Sequence, residues 1–194
     1  MSTLTFAVKQ AQTLLWIAAA VLLAACAGPW RSAPETLGDQ QWQIRPPKGW
    51  MYLAMPDADM FSKNGPYLEY ILVQSRPLTQ AFRSTRQKLS GDMLPHEAAQ
   101  VIIDSMRFDP QVRQFELLGN RPATVGGRPG FKVTYRYRDA HDVTLKAMYI
   151  GVILYDRLIT LRYTATQRHY FDAQESTFNT VVDSLRFIPA APSS

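Results

Sequence analysis

The side chains that could perform covalent chemistry are few in this chain. It has one cysteine, Cys26, and three histidines, at positions 96, 141 and 169. It has no Gly-x-Ser-x-Gly turn, no His-Glu-x-x-His helix, no Gly-rich phosphate loop and no Ser-x-x-Lys pattern at a helix start. These patterns are the ones that bring a nucleophile, a metal or a phosphate into a reactive position. The sequence therefore favours a protein that is not an enzyme and needs no cofactor, with a cryptic hydrolase as the remote alternative.

One short stretch, Asp139-Ala140-His141-Asp142, has metal-ligand chemistry. Two carboxylates and an imidazole are ligands that a transition metal accepts. The stretch is predicted to be a turn between two strands, and a tetrahedral ion would need a further ligand from elsewhere. We expect a solvated turn, with a metal site at Asp139, His141 and Asp142 as the weaker alternative.

Basic residues recur on one side of the strands predicted in the second half of the chain. Apolar and polar residues alternate from position 131 to 138 and again from 159 to 166, which indicates strands with two different faces. The expected basic face is formed by Lys132, Arg136, Arg138 and Arg162, with Lys146 joining according to register. Arginine forks on an open face would bind a phosphate, an anionic lipid headgroup or an acidic protein patch. The alternatives are a solvated face and arginines that form salt bridges under a helix.

The N-terminal segment has the layout of an export signal. A polar start with one base, Lys9, precedes an apolar run over residues 14–23, and two small residues follow. The run is about half of the ~20 residues that a membrane-spanning helix needs, so we expect residues 1–25 to be removed.

The end of that run, Leu23-Ala24-Ala25-Cys26, resembles the lipobox of bacterial lipoproteins. The resemblance implies that Cys26 receives a diacylglycerol, becomes the mature N-terminus and is acylated on its amine, which anchors the chain to a membrane. Ala27, where an aspartate would favour inner-membrane retention, implies the periplasmic face of the outer membrane. The alternatives are a plain signal peptide with an incidental cysteine and a short buried helix.

Charge and composition limit the partners. The chain of 194 residues is 46% hydrophobic, which is typical of one globular domain. Removing Lys9 leaves 20 bases against 16 acids, a mild excess that suits an anionic membrane surface and is too small to indicate nucleic-acid binding. Residues 26–41 have no hydrophobic period and are predicted to be a flexible tether; Trp30 in it would rest among lipid headgroups or be an ordinary linker aromatic.

A single α+β domain is predicted over residues 42–188, with a loose tail at 189–194. The expected elements are a strand at Trp42, a central strand over 67–74, a helix from Pro95, a strand or two short strands over 114–125, and strands over 131–138, 143–154 and 158–166. Gly126-Gly127 is predicted to form a tight hairpin. Asp172, with Glu175 three positions on, is predicted to cap the last helix.

The order of these elements resembles the PsbP-like superfamily. The residues that carry the resemblance are a Trp-x-Ile strand, Pro-x-Gly-Trp, Gly-Arg-x-Gly-Phe before the meander, Tyr-Thr-Ala, Tyr170-Phe171 and the closing Val-Asp-Ser-Leu-Arg-Phe. The resemblance implies a three-layer αβα sandwich with a central antiparallel sheet, in a superfamily that includes photosystem II extrinsic proteins, a Ran-binding protein, bacterial lipoproteins and secretion chaperones. The expected function is a non-enzymatic envelope lipoprotein that binds a protein partner. The alternative is a carrier or sensor of a small anionic ligand or lipid.

Overall fold

The structure, a computed structural model, describes residues 28–189. Within this range, residues 32–189 belong to one compact unit. The strands are β1 (Arg31–Ser32), β2 (Leu37–Gly38), β3 (Trp42–Ile44), β4 (Met51–Met55), β5 (Ala58–Ser62), β6 (Glu69–Pro77), β7 (Arg113–Val125), β8 (Arg128–Arg138), β9 (Thr144–Leu154), β10 (Arg157–Thr166) and β11 (Arg186–Phe187). The helices are α1 (Pro95–Arg107) and α2 (Tyr170–Asp183).

A large antiparallel sheet forms the middle layer. Its strand order is β1-β4-β5-β6-β10-β9-β8-β7, and a small sheet has the order β11-β3-β2. Helix α1 packs on β7, β8 and β9, whereas α2 packs on β10 and β6. The two helices cover opposite faces, as shown by their separate hydrophobic clusters. The expected αβα sandwich with a central antiparallel sheet is therefore confirmed.

Helix α1 begins at Pro95, as predicted. Pro95 occupies its first turn, and the Glu97 carboxylate accepts a hydrogen bond from the Leu94 backbone N–H at 2.7 Å. Ala99, Ile102 and Ile103 are buried against the sheet. The helix ends before Asp109-Pro110, where proline disfavours continuation.

The start of α2 differs from the prediction that Asp172 is its N-cap. The helix begins at Tyr170, and the residue before it, His169, has φ +70°. Phe171 is 1% exposed, and its ring lies 5.2 Å from that of Tyr163. Burying such a side chain contributes about 1.5–3 kcal/mol, whereas a capping side chain contributes about 1 kcal/mol, so burial sets the first turn. Asp172 instead lies within that turn, where its negative charge interacts favourably with the helix dipole.

Part of the expected tether is ordered in the structure. Leu37 of β2 pairs with Ile44 of β3, and the Ala33 backbone N–H donates to the Trp50 carbonyl at 3.1 Å. Leu37 and Ala33 also pack against the core on the α2 side. The fold therefore includes residues on the N-terminal side of Trp42, unlike the expected boundary.

Strand β7 is one long edge strand with irregular pairing. Its register against β8 shifts between Arg113 and Glu116 and again between Leu117 and Gly119. The hairpin to β8 turns at Gly126-Gly127, as predicted, with φ +58° and +81°.

The pairing of β8 with β9 brings two backbones and one aromatic ring into close contact. Gly151 lies opposite Phe131, and a Cβ added at Gly151 would overlap the Phe131 ring. By contrast, a Cβ at Gly119 of β7 would meet no atom within 4 Å.

We therefore expect Gly151→Ala to lower the free energy of unfolding by about 1–3 kcal/mol, because the added methyl group overpacks the core. The matched control Gly119→Ala should change it by less than about 0.5 kcal/mol. Urea denaturation measures both values. Equal effects of the two substitutions would contradict the predicted close approach.

Candidate functional site

Four of the predicted basic residues share one sheet face. In β8, Lys132 and Arg136 lie opposite Arg121 of β7 and Lys146 of β9 respectively. Helix α2 packs farther along the sheet, on β10 and β6. The side chains of Arg136 and Arg138 are 42% and 41% exposed. We call this surface, formed by Arg121, Lys132, Arg136, Arg138 and Lys146, the basic face.

A cavity of about 690 Å³ lies at the end of the basic face, where β8 ends and β9 begins. Three arginines line it, two of them predicted and one, Arg168, contributed by the turn before α2. The other lining residues are Gln114, Glu116, Tyr137, Val143, Thr144, Thr166 and Gln167. Arg168 could not be found from a local sequence pattern. It lies in the turn after β10, and it approaches the cavity only because the end of that strand lies there.

Two arginines of the cavity are held by salt bridges. Arg136 contacts Glu116 at 2.6 Å, and Arg138 contacts Asp142 at 2.7 Å. All four side chains are more than 40% exposed, so each pair contributes only about 0–1 kcal/mol to stability. The pairs therefore orient the guanidinium groups more than they stabilise the fold.

The pKa of Lys132 is lowered by its partial burial and by the positive charges that surround it on the basic face. Partial burial lowers the pKa of Lys132, and the charges of Arg121 and Lys146 lower it further, against an opposing effect of Glu175. Lys146 lies 4.1 Å from the centre of the Phe171 ring, in a cation–π contact. An added anion would relieve this repulsion.

Arg162 does not belong to the basic face, contrary to the prediction. It pairs with Tyr149 of β9, which in turn pairs with Val133 of β8, so all three lie on the face that α1 covers. The alternation predicted within β10 is correct. The register between β9 and β10, however, places Arg162 on the same face of the sheet as Val133 and the other apolar side chains of β8.

On the α1 side, Arg162 lies among tyrosines and a thioether. One of its nitrogens is 3.4 Å from the Tyr70 hydroxyl, and another is 3.9 Å from the Met106 sulfur. Its Nε is buried without a hydrogen-bond partner, and among the described residues it forms no salt bridge. This residue is therefore a cation packed under α1 without the salt bridge that the alternative reading expected.

Four tyrosines are protected from ionisation by the core. Burial raises the pKa of Tyr135, Tyr137 and Tyr149, and Arg162 offsets only part of this effect. Burial also raises the pKa of Tyr163, helped by the charge of Glu69. The Tyr163 hydroxyl donates to the Tyr170 carbonyl at 2.8 Å, which ties β10 to the start of α2.

In the Asp139–Asp142 turn, both carboxylates already have partners within the protein. Asp139 accepts the backbone N–H groups of His141 and Val143, both at 2.9 Å. Asp142 contacts Arg113 at 3.3 Å in addition to Arg138. Within residues 28–189, no three His, Cys, Asp or Glu side chains are grouped to hold a metal ion. The structure thus gives these residues a turn and salt-bridge role.

The residues of the predicted anchor, Leu23, Ala24, Ala25 and Cys26, lie outside the described residues. In the part that the structure describes, no helix has the length and apolar character needed to cross a membrane.

The buried tyrosines predict how stability changes at high pH. Because each folded-state pKa lies above the unfolded value of about 10, the stabilisation is fully present below pH ~10 and is lost as the pH rises through the folded-state pKa. We expect four of the nine tyrosines to stay protonated until the protein unfolds. Phenolate absorbance, followed together with far-UV circular dichroism, measures this.

Replacing the exposed Tyr155 with phenylalanine should leave the late, unfolding-coupled step unchanged, whereas Tyr135→Phe should reduce it. Ionisation of all nine tyrosines near pH ~10 with the fold intact would contradict the burial of these side chains.

No protein-family model matches the sequence, and no curated protein matches it. Among solved structures, cyanobacterial PsbP (CyanoP) from Synechocystis sp. PCC 6803 superposes with a TM-score of 0.56 at 17% identity, covering 84% of this chain and 96% of that one. The Saccharomyces cerevisiae Ran-binding protein Mog1p superposes with a TM-score of 0.52 at 10% identity, covering 81% of this chain and 97% of that one. At these identities the likeness concerns the fold alone. The chain is therefore similar in fold to PsbP and Mog1p, as the sequence resemblance implied.

Proposed function

We propose that this chain is a lipid-anchored envelope protein whose αβα domain is a non-enzymatic module that binds an acidic segment of a protein partner. The observation that carries the proposal is the cavity of about 690 Å³ lined by Arg136, Arg138 and Arg168. Guanidinium groups bind carboxylates through two parallel hydrogen bonds, so three of them around one cavity favour an acidic ligand.

The surroundings of the cavity favour a protein as the source of the acidic groups. Val143 lines the cavity and is 39% exposed, and Leu118, two positions after the lining residue Glu116 on β7, is 44% exposed. Arginine mixed with exposed apolar side chains is typical of protein–protein interfaces. Mog1p, which has a similar fold, is a Ran-binding protein, although fold likeness alone is a weak guide to function.

The anchoring part of the proposal rests on Leu23-Ala24-Ala25-Cys26. Two or more acyl chains on Cys26 would give stable attachment, since each buried methylene contributes about 0.8 kcal/mol. The residues between Cys26 and the first strands would link the anchor to the domain. Ala27 favours the periplasmic face of the outer membrane as the location.

The lipid anchor predicts a change in distribution when the thiol is removed. We expect Cys26→Ser to move the protein from the membrane fraction to a soluble or unprocessed form, whereas Ala27→Gly should leave it in the membrane. Cell fractionation with intact-mass analysis measures this. An internal, unmodified Cys26 in the purified native protein would disprove the anchor.

The basic cavity predicts that binding of a partner depends on two of its arginines. With a photo-reactive residue at Val143, which lines the cavity, we expect crosslinks in envelope membranes to a partner that are lost in the double variant Arg136→Glu/Arg138→Glu. A loss of at least about tenfold is expected, because each position loses a charge-assisted hydrogen bond. The control Lys48→Glu/Lys63→Glu makes the same charge change at exposed positions outside the cavity and should keep the crosslinks.

The same variants test the alternative of a small anionic ligand or lipid. If the arginine variant loses binding to anionic vesicles at low salt and no protein crosslink forms, the basic face serves lipid headgroups instead. Crosslinks that survive in the arginine variant would rule out the cavity as the partner site.

A further inference from the structure

Exposed apolar side chains collect at the end of the sheet opposite to the basic cavity. The cavity lies where β8 ends and β9 begins, whereas this end holds the β7–β8 and β9–β10 turns. Leu94 before α1, Tyr155 in the β9–β10 turn and Ile188 after β11 are 56%, 55% and 39% exposed. Strand β9, with 11 residues, separates the two ends by about 33 Å.

Arg128 connects these side chains into one patch. Its guanidinium group lies 5.9 Å from the centre of the Tyr155 ring and 5.5 Å from that of Phe187, the residue before Ile188. On its other side, Arg128 and Leu94 both line a cleft of about 290 Å³ whose other walls are mainly apolar. We call the patch around Arg128 the apolar tip; it is formed by Met93, Leu94, Pro129, Tyr155, Phe187 and Ile188.

The apolar tip has no net charge. The charged residues in it or next to it in the chain are Asp92, Arg128, Asp156 and Arg186, two acids and two bases. An exposed apolar patch marks a contact with a protein or a membrane. Aromatic rings with leucine, isoleucine and a stacked arginine suit the interface of a bilayer, where such rings lie at the level of the headgroups.

The anchor proposed at Cys26 lies close to the first fixed residues of the domain. The Ala33 N–H donates to the Trp50 carbonyl at 3.1 Å, which holds the chain beside the start of β4. The seven residue steps from Cys26 to Ala33 span at most about 25 Å. From Trp50, β4 runs about 17 Å toward the end of the sheet that carries the apolar tip, since its turn to β5 lies beside Pro77 and Arg157. The link is therefore long enough for the bilayer to lie against the tip, and it is shorter than β9.

We propose that the apolar tip rests in the interfacial region of the bilayer that carries the anchor. Leu94, Tyr155 and Ile188 enter the headgroup region, and Arg128 lies at the level of the lipid phosphates. The inference rests on the lipid anchor of the proposed function, because the anchor keeps the tip at a high effective concentration near the bilayer, where a weak affinity is sufficient. This orientation directs the basic cavity away from the membrane, where a protein partner can reach it.

The test uses the lipidated full chain in phosphatidylcholine vesicles. Because the chain has one cysteine, lipid on the Cys26 thiol leaves none free, and one added cysteine can carry a nitrobenzoxadiazole label. We expect the emission of a label at Leu94→Cys to shift to shorter wavelength. Lipids with a nitroxide near the headgroup should quench it at least about twofold more than a control label, since interfacial apolar groups lie about 5–10 Å deep.

The matched control is the label at Tyr67→Cys. Tyr67 is also an exposed side chain, at 87%, but it lies at the cavity end of the sheet, where the Leu68 carbonyl accepts the Thr166 N–H at 2.9 Å. Its label should keep the emission that it has in water.

A pair of variants connects the shift to the apolar side chains. Tyr155→Ser/Ile188→Ser should abolish the shift of the label at Leu94. Leu117→Ser/Leu118→Ser removes two side chains of similar exposure on β7, 39% and 44%, and should leave the shift unchanged. Raising the salt to about 0.5 M should also leave it unchanged, because screening weakens charge pairs and not apolar contacts. Far-UV circular dichroism checks that each variant is folded.

Four outcomes would overturn the inference. They are equal spectra of the labels at Leu94 and Tyr67, a shift that survives in the folded Tyr155→Ser/Ile188→Ser variant, a shift that salt abolishes, and a shift that occurs in envelope membranes but not in pure lipid. The last result would assign the apolar tip to a protein.

Flotation of the vesicles and intact-mass analysis separate this inference from the proposed function. Lipidated protein that floats without the shift overturns the inference alone. An unmodified Cys26 overturns the anchor and the inference together. Partner crosslinks that depend on Arg136 and Arg138 are measured independently of both.

Discussion

The register between β9 and β10 is the constraint that decides which face of the sheet each side chain of β10 occupies. Leu154 pairs with Arg157 around Tyr155-Asp156, and Tyr155 adopts φ +54° to close this two-residue turn. A slip by one residue would move every side chain of β10 to the other face. The hydrophobic pattern alone does not prevent such a slip, because most residues of β9 and β10 are buried on both faces. The turn therefore determines that Arg162 faces α1.

The sequence predicted well whatever depends on local patterns. The start of α1 at Pro95, the Gly126-Gly127 hairpin and the alternation of Lys132 to Arg138 each depend on neighbouring residues, and the structure has all three. It predicted poorly what depends on distant contacts. The phase of β10 relative to β9, the start of α2 and the pairing of Leu37 with Ile44 are decided by turn geometry and core burial, which a single stretch of sequence does not encode.

The candidate site shows the same division. Arg136 and Arg138 could be found from alternation, since both lie on one strand. Arg168 follows β10 in a turn and approaches them only through the fold.

The exposure of the cavity salt bridges explains how an acidic partner would compete for arginines that already have carboxylates. In a buried pair, removing one member leaves an uncompensated charge and costs about 3–5 kcal/mol. The Arg136–Glu116 and Arg138–Asp142 pairs are instead exposed to water, where exchanging one carboxylate for another costs about 0–1 kcal/mol. Glu116 and Asp142 thus keep the guanidinium groups oriented in the free protein without making them unavailable. Arg162, enclosed by tyrosines on the other face, could not exchange partners in this way, which is a physical reason for placing the binding surface on β8 and not on β10.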